Sequence, residues 1–147
     1  MKRAVEEYDV VVVGAGAGGV AAAVGAARTG ARALLIERYG FMGGAATNSQ
    51  VLAYCGFYVR GTTAKQMVFG VGQDLLLELK NLGVDVQPIV SKSGYWIVML
   101  DPEATKLAFD RLALQNNVEL ALHSRVVDAE VSDNRIRSVT LADHAGL

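Results

Sequence analysis

The sequence predicts an α/β fold with a three-layer core, and three observations predict it. A short β-branched run without helical period, residues 9–13, breaks into glycines at Gly14, Gly16, Gly18 and Gly19. Small residues then continue at helix length over 17–27, with Gly30 placed to cap them, and residues 31–36 form a second apolar run closed by Glu37. Strand, tight turn, helix and strand in that order make a βαβ unit, the building block of a parallel sheet. At 147 residues the chain is sized for one domain and can bury roughly 70% of its unfolded surface.

Each glycine of the turn has a separate physical task. Gly14-x-Gly16-x-x-Gly19 matches the dinucleotide-binding spacing at all three places. Gly14 allows the sharp exit from the strand. Gly16 lets the backbone come up against a pyrophosphate, whose charge is met by free N–H groups at the helix N-terminus. Gly19, with Ala23 one turn on, lets the helix lie close on the strands. Glu37 ends the second strand about 20 residues past the glycines, where an acidic side chain accepts hydrogen bonds from ribose hydroxyls. A glycine-rich turn serving helix packing alone would leave Glu37 without a role.

Composition excludes several classes of partner. Net charge is −1 and the basic residues are scattered, so there is no footprint for nucleic acid or for an anionic membrane. The expected partner is a small-molecule substrate. The single cysteine, Cys55, rules out an internal disulfide and a multi-cysteine metal or iron–sulfur site within this chain. It has no flanking cation or histidine to lower its pKa, and it reads as a packing residue. His123 and His144 are the only histidines, too few and wrongly spaced for a metal site. Residues 10–27 are uncharged, but five glycines and the need for exposed backbone argue against a membrane helix. Met1-Lys2-Arg3 does not open a signal peptide, because Glu6, Glu7 and Asp9 interrupt the approach to the apolar run. These features together predict a cytoplasmic protein.

Further along, residues 38–49 are rich in glycine and small polar residues and read as a tight loop without regular structure. Its paired Gly43 and Gly44 suit a second close backbone approach to a ligand, and Thr47, Asn48 or Ser49 are free to cap or to hydrogen-bond a ring. Residues 51–61 are aromatic and apolar, a short helix or an irregular segment, with Arg60 either an anchor for an anionic substrate or a solvated arginine beside a turn. Val68, Val71, Leu75, Leu79 and Leu82 fall at helical spacing, and Gly83 stands where a left-handed residue ends a helix. Residues 85–93 form a connection containing Pro88, and residues 95–100 read as a strand. Asp101 can cap the next helix, Pro102 suits its first position and Glu103 meets the positive end of its dipole. That helix runs to about Gln115 with Ala104, Leu107, Ala108 and Leu112 as its buried stripe. Residues 118–122 are another apolar strand, and residues 124–131 and 136–141 form a hairpin turning at Ser132-Asp133-Asn134-Arg135.

With these pieces placed, the sequence resembles the N-terminal part of the FAD-dependent oxidoreductases with a glutathione-reductase-type flavin fold. It is most similar to the group whose loop reads ERYGFxGGxAT, here Glu37-Arg38-Tyr39-Gly40-Phe41-Met42-Gly43-Gly44-Ala45-Ala46-Thr47. The stretch LDPEATKLAFDRL…NNVELALHSRVVDAEV resembles the family's helix, strand and flavin-side hairpin, so the likeness covers nearly the whole chain. The fingerprint by itself serves NAD equally well; the YGFxGG loop and the Ser124-x-Val126 strand favour FAD. The resemblance implies Gly14, Gly16 and Gly19 at the pyrophosphate and Glu37 on the adenosine ribose. It further implies Arg38 beside the adenine, Gly43 and Gly44 along the ribityl and pyrophosphate, and Val126 touching the adenine through its main chain.

The expected architecture is therefore a Rossmann-like three-layer FAD/NAD(P)-binding fold with a C-terminal β-hairpin. One FAD-binding domain spans 1–147, with parallel strands at 9–13, 32–36 and 118–122 and a helical and irregular insertion at about 48–116. The expected function is redox of a small-molecule substrate through bound FAD, with no residue assignable as catalytic. Two alternatives are an NAD(P)-binding enzyme, in which Arg38 bears on a 2′-phosphate, and a non-catalytic nucleotide-binding remnant of a truncated gene. The family's returning strand with its Ala-Thr-Gly-Asp-like motif does not follow Leu141, and most of a substrate domain is missing. The fold is thus expected to be incomplete and inactive alone. Its first strand keeps an open edge, calling for self-association or a partner chain.

Overall fold

The computed structural model describes residues 5–144 and 146. In chain order the elements are β1 (Val10–Val13), α1 (Ala17–Arg28), β2 (Ala33–Ile36), α2 (Ala45–Asn48), β3 (Ala53–Cys55), β4 (Tyr58–Val59) and β5 (Lys65–Gln66). They continue with α3 (Val71–Asn81), β6 (Ile89–Val90), β7 (Trp96–Met99), α4 (Pro102–Gln115), β8 (Glu119–Ala121), β9 (Arg125–Ser132) and β10 (Arg135–Ala142). The three strands expected to be parallel are so, in the order β1-β2-β8, with Val10 opposite Ala33 and Leu34 opposite Glu119. This is the mixed α/β arrangement of an incomplete Rossmann-like fold.

Helix α1 returns the chain from β1 to β2 and buries Val20, Ala23 and Val24 against the sheet. Its close approach depends on Gly19, where a side chain would overlap the Gly14 carbonyl oxygen. Helices α3 and α4 pack beside it. Leu75 and Leu79 of α3 join Phe109 and Leu112 of α4 and Leu35 of β2 in one core. No helix among the described residues is long and apolar enough to cross a membrane.

The segment between β2 and β8 departs from expectation. Residues 51–61 hold β3 and β4 rather than a helix: Tyr54 pairs with Val98 in an antiparallel sheet ordered β3-β7-β6, and β4 pairs with β5. The insertion therefore mixes small sheets with its helices. Cys55 is exposed rather than packed, at the end of β3, where Ala53 and Tyr54 before it are half-buried. The loop after Glu37 contains one helical turn, α2, in which Thr47 is buried and its hydroxyl donates to the Met42 carbonyl at 2.8 Å. Ile89 and Val90 form a strand inside the expected connection. Helix α3 starts at Val71 rather than Val68, after Gly70 at φ 65°. On α4 the buried stripe is Thr105, Ala108, Phe109, Leu112 and Ala113, while Leu107 points outward.

The hairpin of β9 and β10 turns tightly through Asp133 and Asn134, both at positive φ, the geometry of a two-residue type I′ turn. Its alternating Val127 and Val131 are exposed.

Candidate functional site

The site forms where the C-terminal ends of β1, β2 and β8 meet, the end of a parallel sheet at which ligands bind. Gly14, at φ 98°, turns the chain out of β1 in a conformation that L side chains avoid, and its N–H donates to the Ile36 carbonyl at 2.7 Å. Gly16 is the N-cap of α1, and no side chain caps that end. The first helical hydrogen bond runs from Val20 N–H to Gly16 O, so the N–H groups of Ala17, Gly18 and Gly19 lie ahead of the helical ladder. There is no acidic residue in the first turn. A helix start of this kind carries partial positive charge and suits an anion.

A second glycine loop closes on the first. Gly43 N–H donates to the Ala15 carbonyl at 2.8 Å, and Gly43 and Gly16 form a parallel bridge. Gly44 lies so close to Gly16 that a Cβ on it would stand 2.9 Å from the Gly16 Cα. Gly43, at φ 114°, leaves no room for a side chain against Thr47. Gly14, Gly16, Gly43 and Gly44, separated by about 30 residues in sequence, are thus one surface of bare backbone.

Glu37 sits behind this surface at the end of β2. It is buried, and both carboxylate oxygens accept backbone N–H groups: Oε2 from Ala15 at 2.7 Å and Oε1 from Tyr39 at 3.0 Å. No salt bridge among the described residues reaches it. Each oxygen keeps a further lone pair for a hydroxyl donor.

Arg38 is exposed and lies over the Tyr39 ring, 4.6 Å from its centroid. It lines an open cleft of about 310 Å³ with His123, Arg125, Val127, Ala142 and His144. Val126 is half-buried in β9 opposite Leu141, two residues after Ser124, whose N–H donates to the Glu37 carbonyl at 3.0 Å. The structure therefore brings the start of β9 to the end of β2. Arg60 stands apart from the glycines, over the Tyr95 ring.

Three residues that sequence reasoning passed over help to shape the loop. His123 lies against Gly40, where a Cβ would come within 2.5 Å of the imidazole, and the His123 backbone N–H donates to the Tyr39 carbonyl. Phe41 stacks on Tyr39 at 5.8 Å, and Lys106 of α4 lies over the Phe41 ring. The glycine in Tyr39-Gly40-Phe41 was the available signal, but its partner is 83 residues away.

Fold and cradle together define a dinucleotide-binding α/β protein. The family model of FAD dependent oxidoreductases matches residues 9–147, and the chain belongs to that family, whose cofactor is FAD. Among curated proteins it is similar to the soluble pyridine nucleotide transhydrogenases of Sodalis glossinidius, 45% identical, and Salmonella typhimurium, 50% identical, each over 42 residues. Those matches cover 29% of this chain and 9% of either relative. Among solved structures it is similar to Thermovibrio ammonificans THI4 (TM-score 0.58, 18% identity, 91% of this chain and 47% of that one). A 3-ketosteroid-delta4-(5alpha)-dehydrogenase from Rhodococcus jostii RHA1 gives a TM-score of 0.62 at 18% identity, over 93% of this chain and 42% of that one. At such identities the likeness is one of fold. The chain spans less than half the length of these relatives.

Proposed function

We propose that this chain is the FAD-holding part of an oxidoreductase that acts on a small molecule. In this reading the N-terminus of α1 and the backbone of Gly14, Gly16 and Gly19 receive the pyrophosphate. Glu37 accepts hydrogen bonds from the adenosine ribose. Arg38 and the main chain of Val126 flank the adenine, and Gly43 and Gly44 run along the ribityl and pyrophosphate. The observation that carries the proposal is the convergence of the two glycine loops over an uncapped helix start. Backbone conformation and packing account for Gly14, Gly43 and Gly44, but at Gly16 an added Cβ would meet only the Gly44 Cα, at 4.0 Å, and the open backbone there suits a pyrophosphate.

FAD, when bound, supplies the redox chemistry at its isoalloxazine ring. What the chain's own residues do is bind and orient. The helix start offers N–H donors to negative charge, the bare backbone allows close approach, and Glu37 sets the position of the nucleoside end. The proposal includes a cytoplasmic setting, for which the single cysteine is the support.

Titration with FAD, followed by quenching of flavin fluorescence, tests the reading. Glu37→Ala is expected to weaken binding by about 1.5–3 kcal/mol, the value of a hydrogen bond to a charged group. Unchanged affinity would remove Glu37 from the ribose. Tighter binding of NADP than of FAD would replace the flavin reading with one in which Arg38 faces a 2′-phosphate.

A further inference from the structure

Beyond the ribose contact, we infer that Glu37 is a positioning residue that builds the glycine cradle before any ligand arrives. The two carboxylate oxygens hold the N–H groups of two residues in different loops, and each of those residues is held again at its carbonyl. The Ala15 N–H is taken by Glu37 at 2.7 Å while the Ala15 carbonyl accepts from Gly43 at 2.8 Å. The Tyr39 N–H is taken by Glu37 at 3.0 Å while the Tyr39 carbonyl accepts from His123 at 3.1 Å. The backbone of Glu37 is itself fixed, its N–H donating to Ala121 at 2.9 Å and its carbonyl accepting from Ser124 at 3.0 Å. Glu37 is thus a node: its buried carboxylate sets the two glycine loops relative to each other, and its backbone ties the end of β2 to β8 and to the start of β9.

The chemistry requires a carboxylate. Both groups facing it are donors, so an amide in its place satisfies one and opposes an N–H to the other. A methyl satisfies neither and leaves both donors without their acceptor, which costs more than the net value of the bonds. Aspartate is one methylene shorter and cannot span both loops from the same backbone position. The ribose hydroxyls, being both donor and acceptor, carry no such demand and tolerate an amide.

This inference takes its interest from the proposed FAD site, but it concerns the ligand-free chain and is tested there. Residue-resolved amide hydrogen exchange on the chain of 147 residues without FAD compares wild type, Glu37→Ala and Glu37→Gln. In Glu37→Ala the Ala15 and Tyr39 amides are expected to exchange about tenfold faster or more, as loss of a charge-assisted bond implies. In Glu37→Gln one of the two speeds up and the other stays near wild type. The Leu79 amide, inside α3, reports whether the fold is intact, and Glu37→Gln decides the matter if Glu37→Ala does not fold. Unchanged exchange at Ala15 and Tyr39 in both variants would overturn the inference even where FAD binding falls. Faster exchange in the variants, alongside a wild-type chain that shows no affinity for FAD, would instead uphold it and overturn the flavin reading.

Discussion

Two glycines of the fingerprint, three residues apart, are expected to resist substitution for different reasons, and the difference is measurable. At Gly16 an added Cβ meets only the Gly44 Cα, at 4.0 Å, and the backbone there is extended, at φ −68° and ψ 175°. The ligand-free chain has room for a Cβ at that position, and a side chain there would occupy the face proposed for the pyrophosphate. Gly16→Val is therefore expected to keep a circular dichroism spectrum near wild type and to show no saturable FAD binding. Retained binding would mean that the turn serves packing alone. At Gly19 the added carbon overlaps the Gly14 carbonyl oxygen, which is backbone and cannot move aside. Gly19→Val is expected to lose the cooperative thermal transition itself, since α1 must lift from the sheet to admit the side chain. Both residues are visible in the spacing. Which of them the ligand-free fold itself requires is decided by what lies within 4 Å.

At the scale of elements, the helix boundaries were the most legible. Asp101 caps α4 as expected, accepting from the Ala104 N–H at 2.7 Å with Pro102 in the first turn. Asp101→Ala is expected to lower stability by about 1 kcal/mol in urea unfolding, leaving the slope of the transition unchanged. Helices α1 and α3 end at Gly30 and Gly83, at φ 91° and 86°. In each the following N–H reaches back to the third-last helical carbonyl, Ala31 to Ala26 and Val84 to Leu79. Helix α4 ends the same way through Asn117, at φ 56°, which the sequence reading missed because asparagine is a less selective signal than glycine. The strands β3 to β6 were not legible. They are two or three residues long, too short to show alternation, and β3 and β6 exist because β7 offers them an edge on each side. On α4 Ala108 and Leu112 are buried as expected while Leu107 is not, and Thr105 and Phe109 take its place because they meet what α1 and α3 leave open, which periodicity does not encode.

For the whole molecule, one network joins the chain's start to the two later strands of the parallel sheet. The Arg32 guanidinium lies over the Tyr8 ring and pairs with Glu119 at 2.8 Å, while the Tyr8 hydroxyl donates to Glu6 and Glu119. Arg32, and after it Tyr8, hold the Glu119 carboxyl below its ordinary 4.5. Its contribution to stability is therefore present above that value and is lost as the pH falls through its lower folded value. Desolvation, then the hydrogen bonds to Glu6 and Glu119, raise the Tyr8 phenol well above its ordinary 10.0, so that contribution is full below pH 10.0 and declines as the pH rises further. Urea midpoints measured from pH 3 to 11 are expected to fall at both ends, and Arg32→Ala is expected to flatten the acid limb. At the same scale, β1 pairs with β2 alone among the described strands, and Val11 and Val13 are exposed. An apolar strand with one free row of N–H and C=O groups is a template for association. The chain by itself is expected to sediment as concentration-dependent oligomers and to bind FAD weakly, and Val11→Lys is expected to shift it toward monomer. A monomer at all concentrations would show that the edge is protected.

The sequence by itself determined what depends on neighbours along the chain: the βαβ unit and its glycine spacing, the acidic end of β2, the helix caps and the Asp133-Asn134 turn. Those are local because a turn, a cap or a left-handed residue is settled within a few peptide units. Tertiary structure alone decided that Gly43 and Gly44 lie on Gly16, that His123 rests on Gly40, and that the buried carboxylate of Glu37 holds Ala15 and Tyr39 together. Apart from the local bond between Glu37 and Tyr39, those contacts join residues 22 to 83 positions apart, and their partners are selected by where the sheet delivers the ends of its strands, a property of the packed chain and not of any stretch of it.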